Sequence, residues 1–270
     1  MGDVYTEADK QDSHLRFDLD LFCRLNNEYA ERRLVSSPPK YAPVDLEVRG
    51  RSRAQKVAAM GFSGRGLEIG CGRGEVCRAL AQFHGCEMVG VDVESYEQWS
   101  ASADNVRLLE ADLSDGVNRN LGEFDFVYSN AVFEHIRHPF SMLKTAFDLL
   151  KPGGRMYISA NLYRGPKASH RYRQVYFPWP HLLFSDDVFE DFYRSQGKPP
   201  MRPAWVNQLS IADYFNYFTI IGFERLKTSF SRTPIDEAFY SRFIDKLERI
   251  PRYDLERDFM EVTLEKPVGK

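Results

Sequence analysis

The residues with most chemical promise lie together in Leu67-Glu68-Ile69-Gly70-Cys71-Gly72-Arg73-Gly74. Gly70, Gly72 and Gly74 alternate, removing side chains where a ligand must touch backbone. Two acids echo this loop further on: Asp92 closes Val89-Gly90-Val91-Asp92, and Asp112 follows Leu109-Glu110-Ala111. An acid just past a second strand can accept both hydroxyls of a ribose. An acid just past a third strand lies in the same crevice and can accept from an exocyclic amine. The G-x-G-x-G spacing departs from the dinucleotide fingerprint G-x-G-x-x-G, because position 75 is Glu, and no G-x-x-x-x-G-K-[ST] phosphate loop is present. A lone Asp is more often a helix cap or loop acid. Three such features after three successive strands argue against coincidence.

Those positions need strands that end at one edge. Short apolar runs at Leu67–Ile69, Met88–Val91, Val106–Leu109, Phe124–Tyr128 and Arg155–Ala160 alternate with helical patterns over Glu75–Phe83 and from Pro139 to Leu150. Buried strands alternating with helices imply a parallel sheet covered on both faces. Lys151-Pro152-Gly153-Gly154 reads as the break before the fifth strand. Further on, Ser210 caps a helix to Ile221 with Gly222 as its stop. Phe223–Phe230 reads as a strand. A helix opens at Thr233-Pro234 and buries Ile235, Phe239, Phe243, Leu247 and Ile250, and Phe259–Leu264 is the last strand.

Composition bounds the partners. The chain has 270 residues with 36 basic and 39 acidic side chains, a formal charge of -3, which does not suit a nucleic-acid-binding surface. No apolar run is long enough to span a membrane, and the first residues lack the apolar core of a secretory signal. Four cysteines, Cys23, Cys71, Cys77 and Cys86, form no CxxC pair. They read as free thiols in a reducing, cytoplasmic setting. The organisation expected is an N-terminal cap over 1–50, then one catalytic domain over 51–270. That domain comprises a cofactor-binding core (51–161), a substrate-side insertion (162–207) and C-terminal helices with the last two strands (208–270). Ser36–Pro43 marks the first break, and six of the 14 prolines fall between Pro166 and Pro203, where the insertion lies.

Taken in order, LEIGCGRGEV, VGVDVESYEQW, LLEADLSD and FDFVYSNAVFEHIRHP followed by LKPGG resemble the class I S-adenosylmethionine-dependent methyltransferases. The resemblance covers about residues 60–161 and implies an α/β fold: a seven-stranded, doubly wound Rossmann-like sheet, here with an N-terminal helical cap and an aromatic, proline-rich insertion after the fifth strand. It implies S-adenosylmethionine as cofactor, with S-adenosylhomocysteine as product. By the same resemblance, Glu68 and Gly70 lie against the methionine part, Gly72 and Gly74 shape the loop, and Cys71 is a cofactor-binding loop position that varies in the family, its side chain reading as a small filler and not a reactive thiol. Asp92 holds the ribose while Val93 packs on adenine. Asp112 accepts from the adenine amine beside the Leu113 backbone, and the Asn130 backbone lies near the sulfonium.

Methyl transfer to oxygen needs alignment and a base but no metal. Ser129-Asn130-Ala131-Val132 lacks the [DNS]-P-P-[YF] segment of DNA amino methyltransferases, and no Pro-Cys nucleophile follows the fourth strand. His135 and His181 are the candidate bases. Arg171, Tyr172, Tyr176 and Trp179 are candidate substrate-side residues in the insertion. Arg49, Arg51 and Arg53, with Arg164, Lys167, His170, Arg171 and Arg173, suit an anionic group, although surface charge is the plainer account of most of them. The expected activity is methylation of a small molecule at a hydroxyl oxygen, with sugars, natural-product intermediates and polysaccharide precursors all open. The alternatives are methylation of a protein or RNA, or an inactive cofactor-binding scaffold. No nucleic-acid partner is expected, and oligomeric state is left open.

Overall fold

Alternation along the strands explains why they stack into one sheet with two apolar faces. In β4 (Phe124–Asn130), Val127 joins one buried cluster while Phe126 and Tyr128 join another. In β2 (Glu87–Asp92), Val89 and Val91 face the first cluster and Met88 the second. A computed structural model describes residues 16–32, 45–100, 104–116, 121–167, 175–199 and 205–269. With β1 (Arg65–Ile69), β3 (Val106–Glu110), β5 (Leu150–Asn161), β6 (Glu224–Arg232) and β7 (Arg257–Glu265), the sheet has seven strands in the order β3-β2-β1-β4-β5-β7-β6. Strands β1 to β5 pair in parallel, and β7 runs antiparallel to β5. The order reverses between β1 and β4, and the carboxyl ends of strands at such a switch point form the ligand crevice of open α/β sheets.

Helices α2 (Leu46–Ala59) and α3 (Glu75–His84) supply Val57, Val76 and Leu80 to the cluster on one face. On the other, α4 (Pro139–Leu149) and α7 (Ile211–Ile221) contribute Leu143, Ala146, Tyr214 and Phe218. The α7 start is a full capping box: Ser210 Oγ accepts from the Asp213 N–H, and Asp213 accepts from the Ser210 N–H. Gly222 ends it in the left-handed region at φ +103°.

The chain divides into two compact units. The sheet unit is 40–163, 206–231 and 259–270, and the other is 1–39, 164–205 and 232–258. The second unit therefore draws together the chain start, the insertion and a C-terminal segment. It has its own aromatic core, in which Phe22 of α1 (Leu19–Tyr29) meets Phe177, Phe189 and Phe192 at ring separations of 4.7–5.1 Å. The sequence boundary at residue 50 falls inside α2, which belongs with the sheet.

Two expectations need correction. The fifth strand does not wait for Arg155: α4 stops at Leu149 and β5 begins at Leu150, although 151–154 does interrupt its register, since Phe124 pairs with Leu150 and Phe126 with Arg155. Gly153 takes φ +77° and donates its N–H to Lys266 O at 2.7 Å, while Lys266 N–H donates to Gly154 O at 2.9 Å. Cross-strand pairing thus holds a segment that reads locally as a turn. The single helix expected after Thr233-Pro234 is divided into α8 (Glu237–Arg242), α9 (Ile244–Leu247) and α10 (Arg252–Leu255), with short helices α5 (Pro180–Leu183) and α6 (Asp186–Ser195) in the insertion. Asp236, whose side chain accepts from the Phe239 N–H, is the cap that starts α8. Among the described residues no helix is long and apolar enough to cross a membrane.

Candidate cofactor and active site

Strand β1 delivers the chain to residues 70–74 at the sheet's carboxyl edge. The Gly70 and Cys71 N–H groups donate to Val91 O at 2.8 and 3.0 Å, and the Gly74 N–H closes the turn on Cys71 O at 2.9 Å. All three loop glycines take left-handed backbone, at φ +75°, +50° and +76°, which costs an L side chain about 1–2 kcal/mol. Gly70 is also sterically required, whereas the contact at Gly74 is with the movable end of a side chain. A Cβ on Gly70 would lie 2.3 Å from Val132 Cγ2, and one on Gly74 would lie 2.5 Å from Leu108 Cδ1. Around Gly72 a Cβ would meet nothing within 4 Å, so there the loop surface is open. The Cys71 thiol is buried, its ionisation is pushed up by that burial, and Gly90 makes room for it.

A cavity of about 460 Å³ opens on this loop, within the range for small-ligand sites. Gly70, Asp92, Val93, Asp112, Ser114 and His135 are on its wall. Asp92 Oδ2 accepts the Gly72 N–H at 2.7 Å, which ties the end of β2 to the loop. Asp112 Oδ1 accepts the Ser114 N–H at 2.8 Å and its hydroxyl at 2.6 Å, capping the short 3-10 helix Leu113–Asp115. It is a cap and a cavity residue at once. Val93 is exposed, an apolar surface beside the two acids, whereas the Leu113 side chain is buried in the core below.

Glu68 is placed differently from the sequence expectation. It is 4 % exposed and is not on the cavity wall; its Oε2 accepts the Cys77 thiol of α3 at 3.0 Å. Burial pushes its carboxyl up to about 8, against the smaller opposing effect of that thiol. The Asn130 side chain is engaged with β5, its Oδ1 accepting from Ser159 Oγ at 2.8 Å, and Ala131 turns left-handed at φ +54°.

His135 ends the 3-10 helix Phe133–His135. That turn is held by Asn207, a residue the sequence did not single out. The Asn207 N–H donates to Glu134 O at 2.8 Å, and its Nδ2 donates to Phe133 O at 2.7 Å and Ile136 O at 3.3 Å. Glu134 is buried, accepts from Asn161 Nδ2 at 2.5 Å, and has its ionisation raised by burial. Trp99 was missed too: its Nε1–H donates to Gly72 O at 2.7 Å. In sequence it was one more aromatic after the second strand.

The insertion candidates sit in the second unit. Trp179 is fully buried in its aromatic core, with Nε1–H donating to Leu255 O at 2.9 Å, so it is a packing residue there and not the open pocket wall anticipated. His181 is also buried, on α5. Tyr176 is half-buried, and its N–H donates to Asn26 Oδ1 at 2.8 Å. His170, Arg171, Tyr172 and Arg173 lie outside the described residues. Four of the five described members of the basic clusters, all but Arg53, are matched by acids in ion pairs. Arg49 pairs with Glu75 at 2.6 Å, Arg51 with Glu47 at 2.5 Å, Arg164 with Asp254 at 3.0 Å and Lys167 with Asp258 at 3.8 Å. These ion pairs account for those four without an anionic ligand.

Comparison with known proteins fits this geometry. A family model described as "Methyltransferase domain" matches residues 28–196, more than half of the chain. A ubiquinone biosynthesis O-methyltransferase of Maricaulis maris is 38% identical over 108 residues, covering 38% of this chain and 42% of that protein. One from Psychrobacter arcticus is 30% identical over 123 residues, covering 42% and 47%. The chain thus spans less than half the length of these relatives. Among solved structures, S-adenosylmethionine-dependent methyltransferases from Archaeoglobus fulgidus (TM-score 0.51, 16% identity, 82% of this chain and 95% of that one) and Mesorhizobium loti (0.50, 18%, 82% and 99%) share the fold. The open cradle at Gly72 and the acids ending β2 and β3 fit S-adenosylmethionine as the cofactor. The chain belongs to the methyltransferase-domain family and is a class I S-adenosylmethionine-dependent methyltransferase.

Proposed function

We propose that this enzyme methylates a small molecule at a hydroxyl oxygen. The cofactor, when bound, supplies a methyl carbon already activated on a sulfonium. In this reading Gly70, Gly72 and Gly74 present backbone to the methionine part, and Asp92 accepts from the ribose. Val93 covers the adenine, Asp112 accepts from its amine beside the Leu113 backbone, and the Asn130 backbone borders the sulfonium. His135 accepts the proton that the hydroxyl must lose. The observation carrying this reading is that His135 stands on the wall of the same cavity as Asp92 and Asp112. The matched stretches of ubiquinone biosynthesis O-methyltransferases favour oxygen as acceptor, and the net charge of -3 favours a small molecule over RNA.

The test is transfer of a labelled methyl group to fractionated cell extract. Label in the small-molecule fraction, on a group that resists mild acid and base as an ether does, supports the reading; label in protein or RNA overturns it. His135→Ala, with the acceptor in hand, is expected to lower kcat and leave S-adenosylhomocysteine affinity unchanged. An equal loss of that affinity would make His135 part of the cofactor wall and not the base.

A further inference from the structure

A loop of three left-handed glycines is intrinsically loose, because glycine has the most conformational freedom to lose on folding. Yet at Gly72 both backbone polar groups are engaged. Its N–H donates to Asp92 Oδ2 at 2.7 Å, and its C=O accepts from Trp99 Nε1 at 2.7 Å. The next carbonyl, Arg73 O, accepts from Arg78 Nη2 at 2.6 Å, and Arg78 Nη1 donates to Gln98 O at 3.2 Å. Gln98 and Trp99 are neighbours in the 3-10 helix Glu97–Ser100, whose turn is closed by the Trp99 N–H on Tyr96 O at 2.9 Å. The hydrogen bonds therefore form a ring: glycine loop, Trp99, Gln98, Arg78 on α3, and back to the loop. Indole and guanidinium nitrogens only donate, so each link can form only with the loop carbonyl turned toward it.

We infer that Trp99 is a positioning residue for cofactor binding, which together with Arg78 locks two successive peptides of the loop, Gly72–Arg73 and Arg73–Gly74, each in one orientation. This rests on the cofactor site described above. It explains an otherwise unassigned partly buried indole packed beside the α3 cluster, and it gives the loop rigidity that its composition lacks. Pre-organising a binding loop raises affinity by removing an ordering cost at the moment of binding.

Trp99→Phe keeps a ring in place and removes the donor. Wild type and variant are titrated with S-adenosylhomocysteine by calorimetry, and amide exchange is followed across residues 69–78 in both ligand-free proteins. The expected result is an affinity loss of about threefold to tenfold, the effect of one hydrogen bond. Exchange at 70–74 should be faster, with protection of β4 and β5 unchanged. Arg78→Met should act in the same direction, and the double variant should lose less than the product of the two single losses, because both cut one ring. A folded Trp99→Phe protein with affinity within twofold of wild type and unaltered loop exchange overturns the inference. So does an affinity loss accompanied by equal loss of protection throughout the sheet. If wild type itself does not bind S-adenosylhomocysteine, the cofactor assignment falls, while the exchange measurement still decides the lock.

Discussion

Gly70→Ala isolates what the glycine loop demands of sequence. The substitution meets two obstacles: φ +75°, and a Cβ 2.3 Å from Val132 Cγ2 and 2.6 Å from Cγ1. The first costs about 1–2 kcal/mol. The second forces either Val132 or the loop to move, which costs about 1–3 kcal/mol in packed surroundings. Together, about 2–5 kcal/mol is a large share of the roughly 5–15 kcal/mol that holds a domain folded. Val132→Ala removes both clashing methyl groups, so the double variant should recover about 1–3 kcal/mol relative to the sum of the single losses and retain the backbone cost. Urea unfolding followed by circular dichroism, with the slope checked for constancy, measures all four corners of the cycle. Gly72→Ala is the internal control: with nothing within 4 Å of its Cβ, it should show only the backbone cost. A Gly70→Ala protein within about 0.5 kcal/mol of wild type, or a double variant that is simply additive, would refute the steric account.

Asn207→Ala removes the two side-chain donors that reach Phe133 O and Ile136 O, and should cost about 1–3 kcal/mol in urea unfolding. Asp92→Asn keeps an oxygen for the Gly72 N–H, so calorimetry should find S-adenosylhomocysteine affinity reduced about tenfold or more with little change in the urea midpoint. Glu68 is neutral in the fold up to about pH 8 but ionises near the ordinary Glu range when unfolded. Between those limits the folded chain holds the extra proton, so its stability falls with rising pH by on the order of 1 kcal/mol per unit and levels off above about 8; Glu68→Gln should flatten that part of the stability-against-pH curve.

The sheet unit was readable because its signals are local. Apolar runs such as Met88–Val91, glycines at fixed offsets and Ser210 as a cap each act within a few residues of themselves. The second unit was not readable, because its core joins Phe22, Phe177 and Phe239 across more than 200 residues, and aromatic stripes do not specify their partners. Separation along the chain also hid Asn207, whose side-chain partners lie 71 and 74 residues earlier. Pro152-Gly153-Gly154 does mark an interruption of register, and what the sequence does not show is that hydrogen bonds with Lys266 keep it within β5. At the site, the cavity positions of Gly70, Asp92, Asp112 and His135 were legible from strand ends, and that of Val93 from the family resemblance. The orientation of Glu68 was not: strand alternation gives a residue two faces, and only the packed structure says which face meets α3.

That orientation changes how the strand-end acids divide their work. A carboxylate needs strong donors or water to hold its charge. Glu68 lies in a buried site with the Cys77 thiol as its side-chain donor, whereas Asp92 and Asp112 accept from backbone N–H and hydroxyl groups at a solvent-open cavity. Direct contact between an ionised Glu68 and a ligand would require a donor or water to reach a pocket closed by α3. The carboxylates on the cavity wall therefore come from the end of β2, with Asp92, and from the turn after β3, with Asp112 and Asp115. The first strand contributes shape, a backbone bent through three left-handed positions and held over a neutral acid. An acidic residue at the end of β1 and one at the end of β2, alike in sequence, thus have different physical roles, because only the second stands where solvent and ligand can reach it.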